Sequence, residues 1–129
     1  MKYRKLGPSG CQVSAISLGS WLTYGSAVDQ AKSDACVRAA WDHGINLFDT
    51  ADVYNRGEAE IALAHALRRY RRQDYVLATK AFWPMSDNVN DRGLSRKHLF
   101  ESCHASLKRL QTDYIDLYQC HRYEPDTAL

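Results

Sequence analysis

The chain has 129 residues, of which 45% are apolar and 25% charged, and a net charge of +2, the make-up of one globular domain with a real core. That balance argues against a polyanion partner such as nucleic acid, and no apolar run approaches the roughly 18 residues of a membrane-spanning helix. The opening MKYRKLGPSG lacks a hydrophobic signal core, and Cys11, Cys36, Cys103 and Cys120 form neither a CxxC pair nor a Cys/His cluster of metal-ligand spacing. A cytoplasmic protein with reduced thiols and no metal site is expected.

Lys2 to Leu6 and Cys11 to Ser14 flank the turn-rich Gly7-Pro8-Ser9-Gly10 and read as a hairpin. Ala15 to Leu18 is a short apolar strand broken by Gly19-Ser20-Trp21. Asp29 to His43 has helical spacing, with Ala35, Cys36, Ala39 and Ala40 on one face and Gly44 as its stop. Ile45 to Ala51 is the next strand. Gly57 to Tyr70 is a helix with Ala59, Leu63, Ala66, Leu67 and Tyr70 on its buried stripe. Its charges suit the helix dipole, with Glu58 and Glu60 in the first turn and Arg68 and Arg69 in the last. The basic run Arg68 to Arg72 reads as a solvated helix end rather than a nucleic-acid patch. Tyr75 to Lys80 is a strand, and Ala81 to Gly93 a long loop. A third helix starts at Leu94-Ser95, with Ser95 as N-cap, Leu94 stapled onto Leu99, and Phe100, Cys103, Leu107 and Leu110 as its apolar face. Tyr114 to His121 is the last strand, and a loop runs on to Leu129.

This alternation predicts one α/β domain over residues 1–129. It comprises a hairpin in 1–14, then four parallel strands with three helical crossovers in 15–129. A doubly wound sheet and a (β/α)8 barrel both fit that order. No GxGxxG or P-loop follows the first strand, so no nucleotide fingerprint favours the doubly wound sheet. Ser20-Trp21, Asp49, Lys80 and His121 each follow a strand directly, as active-site residues of barrels do. A whole barrel needs about 250 residues, so the expectation is the N-terminal half of one. Its open edges and an interior of Ile45, Leu47, Val76, Ile115 and Leu117 would need a cover, either a C-terminal half or a second copy.

Asp49 is a poor core residue. A buried carboxylate needs a cation, and Lys80 at the end of the neighbouring strand is the candidate. Taken singly, Tyr54 reads as a loop tyrosine, Lys80 as a solvated strand end, and His121 as a rim histidine. Together they gather on one rim. His43, His65, His98 and His104 lie on or beside helices and carry no assigned role.

The segments GINLFDTADVY, YVLATK and DYIDLYQCH resemble those of aldo-keto reductases, most closely the branch containing potassium-channel β subunits and bacterial relatives. The resemblance implies NADPH-dependent reduction of small aldehydes or ketones to alcohols. It assigns Tyr54 as proton donor, Lys80 as the ammonium that stabilises the phenolate, Asp49 as its orienter, and His121 as the polariser of the substrate oxygen. It sets Gly19, Ser20 and Trp21, with Asp49, at the nicotinamide end of the cofactor, and Trp21, Phe82 and Trp83 around an apolar pocket. In channel-type relatives the fold acts as a binding module, and the position matching His121 is commonly Asn. The alternatives to an enzyme are thus a cofactor-sensing or partner-binding subunit, or an inactive fragment.

Overall fold

The structure, a computed structural model, describes residues 1–128. Strands β1 (Tyr3–Lys5) and β2 (Gln12–Ser14) form an antiparallel hairpin. Four further strands, β3 (Leu18–Gly19), β4 (Leu47–Asp49), β5 (Val76–Ala81) and β6 (Leu117–Cys120), make a parallel sheet in the order β3-β4-β5-β6. Helices α1 (Gln30–Asp42), α2 (Glu58–Leu67) and α3 (Arg96–Leu110) are the three crossovers. Each strand pairs with its successor, and the order never reverses. A doubly wound sheet would reverse at its switch point. The architecture is therefore a partial (β/α)8 barrel led by a hairpin.

Local signals account for the helix ends. The Asp29 carboxylate caps α1 by accepting from the Lys32 amide at 2.9 Å, and Ser95 caps α3 by accepting from His98 N. At the far end of α1, Gly44 takes φ 79°, with Gly44 N donating to Trp41 O and Ile45 N to Ala40 O. That paired 5→2 and 6→1 pattern closes a helix where a side chain would clash. Asn46 then ties the hairpin to the sheet. Its Oδ1 accepts from Ser14 N at 2.7 Å, its Nδ2 donates to Gln12 O, and its carbonyl accepts from Val76 N.

The strands are shorter than the sequence suggests, and side chains explain part of the loss. Tyr114 to Asp116 leave the last strand because Arg72 gathers them, donating to Tyr114 O at 3.0 Å and to Asp116 Oδ2 at 2.6 Å. The same carboxylate oxygen accepts from Leu77 N, standing in for a ladder carbonyl.

The core lies between sheet and helices, built on Val37, Phe48, Ala59, Leu63, Ala66, Leu67, Leu77 and Leu110. Two helix faces differ from expectation. On α1, Ala35, Cys36 and Ala39 are exposed, and Ser33, Val37 and Ala40 turn inward, so the one large aliphatic side chain sets the phase. On α3, Phe100 is 52% exposed beneath the Arg96 guanidinium, while the buried stripe is His98, Ser102, Ser106 and Leu110. Nor is the concave side as bare as expected. Val76 is buried, Leu47 and Leu117 are half-buried, and Ile45 and Ile115 pack against the helix-side core. No helix among the described residues is long and apolar enough to cross a membrane.

Candidate active site

Residues at the C-terminal ends of β3, β4, β5 and β6 converge on a cavity of about 710 Å³. The β4–β5 pairing brings Asp49 beside Ala78, two residues before Lys80. Strand alternation then turns Asp49, Ala78 and Lys80 to the same face. Lys80 Nζ donates to Asp49 Oδ2 at 2.6 Å and to Thr50 O at 2.8 Å, and reaches Tyr54 Oη at 3.5 Å. The ammonium is mostly buried, with its side chain 13% exposed against 30% for Asp49. Asp49 and the Thr50 carbonyl thus fix Lys80 with its remaining proton towards the phenol. The ammonium also lies 5.1 Å from the Tyr54 ring centroid.

The loop holding Tyr54 is strained. Asn55 and Arg56 have φ of 48° and 51°, two successive left-handed residues without glycine. Such a pair costs energy and persists only where its surroundings enforce it. Asn55 Nδ2 donates to Gly25 O in the β3–α1 loop, and Gly57 opens α2 in the same left-handed region. The strain lies immediately after the phenol and sets the direction in which the chain leaves it.

His121 follows β6, its amide donating to Ala81 O at 3.0 Å. Its ring meets Tyr54 edge-on with centroids 5.7 Å apart, and Trp83 at 6.3 Å. Burial, reinforced by the positive charges of Lys80 and Arg122, holds the imidazole below its usual value, so it is neutral at pH 7. Nδ1 is buried without a hydrogen-bond partner, which leaves Nε2 to face a ligand. Tyr24 also lines the cavity, but burial pushes its phenol up to about 12, with Cys36 and Asp34 adding to the shift. Of the two cavity tyrosines, Tyr54 is the one next to an ammonium.

Among the other sequence-derived candidates, Trp21 lies 65% exposed at the rim, its ring 6.4 Å from that of Tyr54. Ser20 is buried and donates to Thr50 Oγ1 at 2.8 Å, so its hydroxyl is committed to the fold. Gly19 pairs with Asp49 on the sheet, and a Cβ there would meet nothing within 4 Å. Trp83 lines the cavity, whereas Phe82 does not and packs edge-on against Trp83 at 5.1 Å. Six lining residues escaped sequence reasoning, Leu22, Tyr24, Ser26, Val53, Asn55 and Arg122, while Asp49 and Lys80 are not among the lining residues and reach the cavity through Tyr54. Arg122 directly follows His121, and adjacency to a rim residue was the one signal that could have found it. No group of His, Cys, Asp or Glu among the described residues could hold a metal.

A sequential parallel sheet with polar side chains gathered at its strand ends defines the class of (β/α)8-barrel proteins with a rim site. The chain belongs to the aldo/keto reductase family, whose profile matches residues 15–129. It is 44% identical over its whole length to a protein of Arabidopsis thaliana named "Probable voltage-gated potassium channel subunit beta", and 45% identical to one of Oryza sativa subsp. japonica with the same name. The chain spans 40% of the length of each of these relatives.

Proposed function

We propose that this chain carries the catalytic rim of an NADPH-dependent reductase of small aldehydes or ketones, acting in the cytoplasm. The observation that carries the reading is the linked set Asp49–Lys80–Tyr54, closed at 2.6 and 3.5 Å, with neutral His121 edge-on to the phenol. A phenol is a weak acid at neutral pH, and a fixed ammonium at its oxygen stabilises the phenolate left when the proton goes to substrate. Asp49 keeps that ammonium charged and aimed. Imidazole Nε2–H can donate to the same substrate oxygen, so charge developing there meets two donors.

The residues present suit the nicotinamide end of the cofactor. Beside the phenol lie an exposed Trp21 face and an open edge at Gly19, where a flat ring can approach backbone. A bound reduced nicotinamide would supply the hydride, which no side chain can. Gly19, Ser20, Trp21 and Asp49 are proposed to border it, and Trp21 and Trp83, backed by Phe82, to wall the substrate.

Lys80→Met tests this reading. Aldehyde-dependent NADPH oxidation should fall by about 10²-fold or more, the range lost with an acid–base group. Retained turnover would sink it. A second reading, a partner-binding subunit, is favoured by the names of the relatives. Under it the protein binds NADPH and turns over no aldehyde. In either case β3 and β6 are edge strands, and the sheet is proposed to be completed by further βα units or by a second copy.

A further inference from the structure

The cavity beside Tyr54 contains a charge that the reductase reading does not use. Arg122 is the one Lys, Arg, Asp or Glu among its lining residues. Among the described residues it makes no ion pair and no side-chain hydrogen bond, and its guanidinium lies 5.8 Å from the Trp83 ring centroid. Lys80 differs, since its ammonium is already held by Asp49 and Thr50 O. An anion entering the cavity would therefore meet one uncommitted cation.

The groups also neighbour one another around the cavity. Tyr54 neighbours His121 at 5.7 Å, His121 neighbours Trp83 at 6.3 Å, and Trp83 neighbours Arg122 at 5.8 Å. Proton donors, an apolar face and a guanidinium thus share one cavity. We propose, resting on the reductase reading, that Arg122 selects carbonyl substrates bearing an anionic oxygen group, a carboxylate or a phosphate. The guanidinium fork matches either group with two parallel charge-assisted bonds. The substrate's apolar body would lie on Trp83, leaving its carbonyl at Tyr54 and His121. Held at both ends, such a substrate is oriented as well as bound.

The test compares 4-carboxybenzaldehyde and 4-formylphenyl phosphate with uncharged 4-nitrobenzaldehyde, using the full chain that carries this sequence. The kcat/KM ratio of at least one anionic aldehyde to the neutral one should fall about tenfold or more in Arg122→Ala, chiefly through KM. Arg122→Lys should restore part of it, because it keeps the charge and loses the fork. Whichever anionic aldehyde responds identifies the group recognised. Ratios unchanged by Arg122→Ala would overturn the assignment while leaving the reductase reading intact. If the wild type turns over none of the three, the reductase reading fails, and tryptophan-fluorescence titration with benzoate and phenyl phosphate then judges Arg122. Saturable quenching weakened by Arg122→Ala would support the anion site. Equal quenching in both proteins, or none, would overturn it.

Discussion

Two carboxylate–cation pairs lie on opposite sides of β5. Lys80–Asp49 sits at the rim, with Asp49 30% exposed and Nζ still pointing towards Tyr54. Arg109–Glu60 lies between sheet and helices, with Glu60 fully buried. There each carboxylate oxygen has a partner, Oε1 accepting from Thr79 at 2.6 Å and Oε2 from Arg109 at 2.5 Å, and Arg109 also donates to Ser106. Next to it, the buried Asp52 accepts from Ser102 at 2.8 Å and from Val53 N. In the inner network each carboxylate oxygen accepts a hydrogen bond, and these bonds tie α2 and α3 to β5. At the rim Asp49 is part-exposed, and the Lys80 ammonium reaches the phenol of Tyr54, which lines the cavity. Ion pairs of similar length thus serve docking in one place and, on the proposed reading, chemistry in the other, and what distinguishes them is whether a donor remains for a neighbouring phenol.

The comparison breaks most sharply at Arg109. Arg109→Met strands the Glu60 charge in the core and should cost about 3–5 kcal/mol in urea denaturation. Adding Glu60→Gln should recover part of that loss. A cost below about 1 kcal/mol would mean that water reaches the inner network.

Asp52 supplies the next effect, visible as a pH dependence. Burial raises its carboxyl from the ordinary 3.8 to about 6. The folded state therefore holds this proton more tightly than the unfolded chain. The resulting stabilisation is complete below about pH 4 and is lost as pH rises through about 6. Asp52→Asn lacks that loss, so its stability relative to wild type should improve by about 2–3 kcal/mol between pH 4 and pH 7. A flat difference between those two pH values would contradict the buried assignment.

At the rim, Lys80→Met should cost about 1–2 kcal/mol, less than Arg109→Met, because water can hydrate the half-open Asp49. A loss as large as that of Arg109→Met would erase the distinction between the two pairs. The smallest effect calibrates the rest from outside both regions. Gln111 ends α3 at φ 53°, a left-handed cap that glycine adopts freely. Gln111→Gly should stabilise by about 0.5–1 kcal/mol in the same denaturation assay, with loss of the left-handed strain outweighing the added freedom of the unfolded chain. A destabilised Gln111→Gly would show that its side chain contributes more than the backbone strain costs.

The rim was legible in the sequence because a strand end fixes a residue's position without reference to packing. Asp49 and Lys80 lie at the ends of β4 and β5 and His121 directly follows β6, and parallel pairing in chain order brings them together. The inner network was not legible. Apolar periodicity gave α3 a stripe of Phe100, Cys103, Leu107 and Leu110, yet the helix buries His98, Ser102 and Ser106. Ser102 turns inward to Asp52 and Ser106 to the Arg109 that holds Glu60, and periodicity carries no information about partners distant in sequence. As a first-turn charge Glu60 suits the helix dipole, and it is also fully buried. Arg122 was missed for the opposite reason, since a loop arginine one residue beyond a strand has no period at all.

The most direct test of the rim account is Tyr54→Phe, assayed for aldehyde-dependent NADPH oxidation and, separately, for NADPH affinity. The substitution removes one hydroxyl and leaves the ring against Trp21 and His121. The account expects turnover to fall by at least about 10²-fold with cofactor affinity nearly unchanged, because only the transition state uses the phenolic proton. Near-normal kcat in Tyr54→Phe would contradict it.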